Sequence, residues 1–421
     1  MNEKNIHVYS LNSAENTEII KSILKEKIRL INSPTNLLSD TLLIFVAGGS
    51  SSGKTSRVTK FVSDFFGENN VLIISQDNYY KGIKYMKEHP ELNWDHPLAV
   101  DLHLLAKHIR LLEQGQYIHS PIYSFKTGMR AESSEKTYPK KIIIIEGLFV
   151  LDDELRDCYS KPNAIKIFVD AGIHGRMIRR LLRDISRTGQ TALEILNMFL
   201  KIVEPMHRLY VEPTKDKADF IIDNEYRAEI EAKKSGLTDI QLKFNVTNVG
   251  INIIEAMTRD AKILKIQVQT DFYYNAPDRN LMETGEMVRI RKEKELDIQG
   301  NDKYESGESY LWTYKGPLKE YNDDFSQKDK FEIEIDRKTL NIFLETYPNQ
   351  LKIIRKTRTI FAWDALIFSL DMFFSKSVSP SFIEVKSDIN LPEMQEKLQL
   401  LLNKLGLKIE DGINKSYFEI I

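Results

Sequence analysis

Residues 42–56 read LLIFVAGGSSSGKTS. Leu42 to Val46 is an apolar run of strand length, and the RVTKFVSDFF that follows, Arg57 to Phe66, carries apolar residues at helical spacing. The order is therefore strand, glycine-bounded loop, helix. Within it Gly48, Gly53, Lys54 and Thr55 satisfy G-x-x-x-x-G-K-[ST], the spacing of a phosphate loop. The two glycines permit turns closed to other residues and let backbone N–H groups approach phosphate oxygens. Those amides open a helix whose N-terminus favours negative charge. Gly48, Gly49, Ser50, Ser51, Ser52, Gly53, Lys54, Thr55 and Ser56 are thus the expected phosphate contacts, with Lys54 as a mobile point charge and the Thr55 hydroxyl offered to Mg²⁺.

Working outward, the 421 residues exceed one typical domain. Lys and Arg total 59 against 61 Asp and Glu, a net charge of −2, which gives no reason to expect a nucleic-acid binder. The single cysteine, Cys158, excludes an internal disulfide and a cysteine-based zinc cluster, and reads as a packed side chain in a reducing compartment. No apolar run approaches the roughly 20 residues of a membrane span, and the N-terminus has no signal-peptide core. A cytoplasmic protein with no membrane partner is expected.

Residues 1–40 read as an N-terminal extension with a helix near 15–30 and the turn-rich NSPTN at 32–36. After the phosphate-loop helix, VLIISQDNYY from Val71 to Tyr80 is an apolar strand ending in polar residues. Ligands gather at the carboxyl ends of strands in open α/β sheets, which favours a functional Asp77, although a turn carboxylate reads the same way when taken alone. Asp95 lies in the loop NWDHP at 93–97. The run from Lys141 to Val150 is a fully buried strand with Glu146 at its exit, where a carboxylate can hold Mg²⁺ opposite Thr55. From Gly175 to Gly189, Arg176, Arg179 or Arg180, Arg183 and Arg187 recur every three or four residues on one helical face, a spacing that clamps phosphates or simply meets solvent. Strand–helix alternation gives an α/β P-loop fold, a parallel sheet with crossover helices, over residues 41–225.

Seven blocks, GGSSSGKT (48–55), SQDNYY (75–80), WDHP (94–97), PIYSF (121–125), IEGL (145–148), RRLLRDISR (179–187) and EPTKDKADF (212–220), together resemble the uridine kinase and phosphoribulokinase family. The resemblance implies ATP as donor and a small hydroxyl compound, a nucleoside or similar, as acceptor. It implies Asp77 and Lys54 as catalytic residues, Asp77 being the base. Tyr80, Asp95, Tyr123, Arg130 and Arg176 would line the acceptor pocket, and Arg179, Arg180, Arg183 and Arg187 would form a lid over the phosphates. One departure matters. Gly128 stands where uridine kinases carry a base-reading histidine, so pyrimidine selection loses a directional hydrogen bond.

Beyond about residue 225 short strands of period two replace the alternation, and 297–308 reads as a loop. The strands carry a charge at every second place: Arg289, Arg291 and Glu293 share one face, as do Glu332 and Glu334, Lys356 and Arg358, and Glu384 and Lys386. Lys315 ends one strand and Asp371 lies within another. One such strand reads as a half-exposed sheet; five of mixed sign read as a polyphosphate and metal site. With DFYYNAPD (271–278), YKGP (314–317) and KSYFE (415–419), these blocks resemble the CYTH, or triphosphate tunnel metalloenzyme, family.

That resemblance implies an α+β antiparallel eight-stranded tunnel over residues 237–421. Lys243, Arg289, Arg291, Lys315, Lys356 and Arg358 would hold inorganic polyphosphate or a nucleoside triphosphate. Glu332, Glu334, Asp371 and Glu384 would hold Mg²⁺ or Mn²⁺. The family's opening E-x-E-x-K is spelled by Glu229, Glu231 and Lys233, while 239–243 keeps only Lys243, with Asp239 and Gln241 in the acidic places; position favours Lys243. The late acid pair is reduced to Glu384 with Lys386. Three functions follow: a uridine kinase-type phosphotransferase, a pyro- or triphosphatase in the tunnel, or a kinase-like domain regulated by a phosphate-sensing tunnel.

Overall fold

The computed structural model describes residues 6–32, 41–225, 238–240, 242–249, 259, 261–277, 280–297, 299, 301, 308–316, 319–322, 325–363, 366–374, 379–385, 392–413 and 416–421. The chain divides into two compact units, Met1–Tyr226 and Arg227–Ile421.

In the first unit, the strands are β1 (His7–Ser10), β2 (Leu42–Gly48), β3 (Val71–Ser75), β4 (Ile118–Ser124), β5 (Met129–Thr137), β6 (Ile142–Gly147), β7 (Ala164–Asp170) and β8 (Phe220–Asp223). Among the described residues, six form a parallel sheet in the order β1-β8-β7-β2-β6-β3, and β4 pairs with β5 in a separate hairpin. Leu42 to Ala47 and Ile142 to Ile145 are buried on both faces, as central parallel strands covered by helices must be. Residues 1–40, read as an extension, contribute to this sheet: β1 pairs with β8 from His7↔Phe220 to Ser10↔Asp223. The helix Ala14–Ile31, capped by Ser13, packs Ile20, Leu24 and Ile31 into the core that holds Leu42 and Ile44.

The second unit is antiparallel. Its strands are β9 (Thr238–Ile240), β10 (Leu242–Asn245), β11 (Lys262–Tyr274), β12 (Met287–Leu296), β13 (Ser309–Lys315), β14 (Lys319–Asn322), β15 (Phe325–Ile335), β16 (Gln350–Trp363), β17 (Leu366–Phe373) and β18 (Ser381–Val385). Eight run in the order β10-β18-β17-β16-β11-β12-β13-β15, with β14 and β9 both on the early part of β15. The neighbouring segments β9 and β10 therefore pair with opposite ends of this order, β15 and β18, which closes the sheet on itself. Contrary to the expectation of short strands, β11 spans 13 residues and β16 spans 14. Their inward charges interrupt the apolar alternation by which strands are read from sequence. The segments carrying Glu229, Glu231, Lys233, Gln241, Lys386 and Lys415, and most of 297–308, lie outside the described residues.

Candidate functional site

The phosphate loop is held in its turns by sterics. Gly48 has φ +147° and Gly53 φ +92°, and a side chain at Gly48 would collide with the Val169 carbonyl. The loop opens directly into helix at Lys54. Lys54 donates to the carbonyl oxygens of Gly48 at 2.9 Å and Gly49 at 2.8 Å, and burial pushes its amine down to about 8. Thr55 Oγ1 donates to Glu146 Oε2 at 2.5 Å. The two oxygens suit Mg²⁺, which takes oxygen ligands from one or two protein groups and completes its shell with water and phosphate.

Several buried polar atoms beside the loop have no hydrogen-bond partner: Ser51 Oγ, Ser52 Oγ, Arg176 Nη1 and His207 Nδ1. A side chain at Gly49 would press on Arg176 Cδ at 2.8 Å and His207 Nδ1 at 2.9 Å, which places both against the loop. Unsatisfied buried groups cost free energy, and a phosphate oxygen or ordered water would satisfy the donors among them.

Asp77 sits in the turn Gln76–Tyr79 that leaves β3. Gln76, wholly buried, fixes this turn by accepting from the Phe149 N–H at 2.7 Å. Burial raises the Asp77 carboxyl above its ordinary range against the pull of Lys54, with Glu146 and Asp95 adding to the rise. Burial raises Asp95 as well, opposed by Arg180. Next to these acids stands an aromatic wall. Tyr80 lies 5.8 Å from Trp94 and 5.3 Å from Tyr123, and Tyr123 lies 5.2 Å from Phe125, ring centre to ring centre. Gly128, φ +66°, closes the β4–β5 turn, and its carbonyl accepts from the Ile83 N–H at 2.7 Å.

The arginines divide more finely than a helical face suggests. Arg180 donates to Ser50 Oγ at 3.1 Å and so touches the loop, and Arg183 donates to Asp184, its neighbour on the same helix, at 2.6 Å. Arg187 is exposed. Arg179, expected over the phosphates, is instead directed to the carbonyls of Asn224 at 2.8 Å and Glu225 at 3.1 Å. Arg176, expected in the acceptor pocket, is 2% exposed and paired with Glu204 at 2.6 Å, since a buried guanidinium needs a carboxylate. Arg130 staples the strand exit, donating to Tyr79 O at 2.7 Å and Tyr80 O at 3.2 Å.

In the second unit the inward faces enclose a cavity of about 40 Å³ lined by Lys243, Arg289, Arg291, Lys315, Arg358, Glu332 and Glu384. Lys356, also expected here, is fully buried and bonded to Asp371 at 2.8 Å. Two acids are locked among the cations. Asp271 accepts from Arg291 at 2.6 and 2.9 Å and from Arg289 at 3.2 Å. Asp371 accepts from Arg358 at 2.6 and 2.5 Å. Burial alone would raise both carboxyls, but the adjoining guanidiniums carry them below the ordinary range. Glu384 is bonded to the same Arg358. Glu332 lies 3.4 Å from Arg289, and Glu334 is exposed. Of the residues expected to hold a metal, Asp371 is thus bonded to Lys356 and Arg358, and Glu384 to Arg358. Among the described residues no group of three or more His, Cys, Asp or Glu is placed to hold a metal ion.

Residues that sequence reasoning does not single out are Asn224, Gln76 and His207 in the first unit, and Asp271, Gln269 and Tyr417 in the second. Asp271 has a readable signal, the single carboxylate in the sequence of β11. Asn224 has none.

Comparison with known proteins matches residues 43–231 to the phosphoribulokinase / uridine kinase family and residues 238–417 to the CYTH domain. A uridine kinase of Geobacillus sp. (strain WCH70) is 42% identical over 184 residues, covering 43% of this chain and 85% of that protein. A uridine kinase of Listeria innocua is 41% identical, covering 43% and 86%. Among solved structures, a Pyrococcus horikoshii protein is similar at 23% identity over 43% of this chain and 97% of its own, with a TM-score of 0.34.

Proposed function

The chain belongs to the phosphoribulokinase and uridine kinase family through residues 43–231 and carries a CYTH domain over residues 238–417, and from that premise we propose that it transfers the terminal phosphoryl group of ATP to a hydroxyl of a nucleoside or similar small acceptor. The observation that carries this reading is the placement of Asp77. Its carboxyl is half-buried in the turn that leaves β3, with a raised pKa and Lys54 as the main opposing charge. A raised proton affinity favours a carboxylate as general base.

In the proposed reaction the acceptor hydroxyl gives its proton to Asp77, its oxygen bonds to the γ-phosphorus, and the bond from that phosphorus to the β,γ-bridging oxygen breaks, releasing ADP. The amides of the loop and Lys54 hold the phosphates, and Arg180 and Arg183 neutralise charge that develops on them. Thr55 and Glu146 would hold Mg²⁺, which when bound neutralises the β- and γ-phosphates. The aromatic wall of Tyr80, Trp94 and Tyr123 supplies a flat surface for a planar base.

The test is a panel of purine and pyrimidine nucleosides and non-nucleoside alcohols incubated with ATP and Mg²⁺. Phosphorylation of a nucleoside supports the reading; ATP consumed with no phosphorylated acceptor in the whole panel sinks it.

A second reading concerns the tunnel, and the cluster of Lys243, Arg289, Arg291, Lys315 and Arg358 around one cavity favours it. The tunnel holds a chain of phosphates, inorganic or belonging to a nucleotide. Replacing Arg289 and Arg291 by alanine should remove that binding and leave acceptor phosphorylation in place.

A further inference from the structure

Three buried carboxylates of the tunnel, Asp271, Asp371 and Glu384, are already engaged by cationic side chains. Asp271, 1% exposed, and Asp371, 0% exposed, each accept three hydrogen bonds from cationic side chains. Glu384 is bonded to Arg358, and in the pairing of β10 with β18 its partner is Lys243. Two places further on the residue is Lys386, where a second acid would be needed to form a pair.

To bind a metal, Asp371 or Glu384 would have to leave its guanidinium, stranding a buried charge. To bind phosphate, nothing need leave. A guanidinium has five N–H donors, and Arg291 and Arg358 can keep their carboxylates while turning remaining donors to phosphate oxygens.

We propose that the tunnel binds a linear triphosphate chain as the free anion, without a divalent metal, and that it is a binding element and not a hydrolytic one. This rests on the reading of the tunnel as a phosphate site, and the tunnel would thereby report the level of uncomplexed polyphosphate or nucleotide. Excess Mg²⁺ competes for the same anion and should weaken binding.

The experiment is calorimetry on the full chain carrying Lys54→Ala, which removes the phosphate loop's own affinity for phosphates. Inorganic tripolyphosphate and ATP are each titrated in EDTA and in excess Mg²⁺ or Mn²⁺. Expected is binding in EDTA that weakens at least tenfold with metal, with no release of inorganic phosphate in either buffer; whichever ligand binds identifies the source of the chain. Binding seen only with metal, or tightened tenfold by it, overturns the metal-free proposal and leaves the tunnel reading standing. Binding in neither buffer overturns both. Lys315→Ala, altering a partly exposed residue at the cavity, should weaken binding in EDTA several-fold without disturbing the buried pairs; unchanged binding in this variant counts against the cavity as the site.

Discussion

Asn224 donates its side-chain amide to the carbonyl oxygen of Ser52, inside the phosphate loop, at 2.6 Å. The same residue uses every other hydrogen-bonding group it has. Its Oδ1 accepts from Arg57 at 2.6 Å, its backbone N–H donates to Asp170 at 2.8 Å, and its carbonyl accepts from Arg179 at 2.8 Å. One buried asparagine thus ties the end of β7, the loop, the loop's helix and the arginine helix together. Asn224→Ala should raise the KM for ATP roughly tenfold while changing kcat less, since about 1–3 kcal/mol is at stake when a buried partner is removed. Steady-state kinetics with ATP varied, beside a thermal melt, separates this positioning role from a general loss of fold.

Arg176 and Glu204 form a pair whose side chains are 2% and 7% exposed. Glu204→Ala leaves the guanidinium buried without its carboxylate and should lower stability by about 3–5 kcal/mol. Urea unfolding of the variant, followed by a probe in the first unit, measures it. A loss under 1 kcal/mol would mean that Arg176 finds another partner.

The raised Asp77 carboxyl predicts an acid limb in the pH profile. As a base it works only when deprotonated, so kcat should fall as pH drops through a value above the ordinary carboxylate range, and remain on the plateau above it. Measuring kcat from pH 5 to 8 tests the sign: a rate that rises on acidification contradicts the assignment.

Gly128 leaves the aromatic wall without a directional hydrogen-bonding group at that place. Stacking tolerates any planar base, so kcat/KM values for pyrimidine and purine nucleosides should lie within about tenfold of each other, where hydrogen-bond reading can discriminate by about 10⁴. A competition assay with mixed nucleosides gives the ratio directly.

Much of this is legible in the chain. The phosphate loop declares itself because strand, turn and helix follow in a short span, and the basic strands because charge repeats with the period of a β-strand; Asp77 and Glu146 are legible as carboxylates at strand exits, and the role of Asp77 as base comes only from the family resemblance. What escapes is long-range pairing. Asn224 lies 172 residues from Ser52, and nothing in its neighbourhood marks it. Helical periodicity groups Arg176, Arg179, Arg180 and Arg183 but cannot tell which faces the loop, since Glu204, Asp184 and the carbonyl of Asn224 make that choice. In the tunnel the sign pattern is readable while the partnership is not. Asp371 and Glu384 have the identity of metal ligands, and only the register of β16, β17 and β18 sets Arg358 against both.

The central claim is that Asp77 is the base of an ATP-dependent phosphotransfer. Transfer of labelled γ-phosphate to the accepted nucleoside, compared between the unaltered chain and Asp77→Asn, tests it most directly. The account predicts a fall in kcat of about 10²–10⁴ with little change in the KM for ATP, the magnitude of general-base catalysis. Phosphotransfer at the full rate in Asp77→Asn would contradict it.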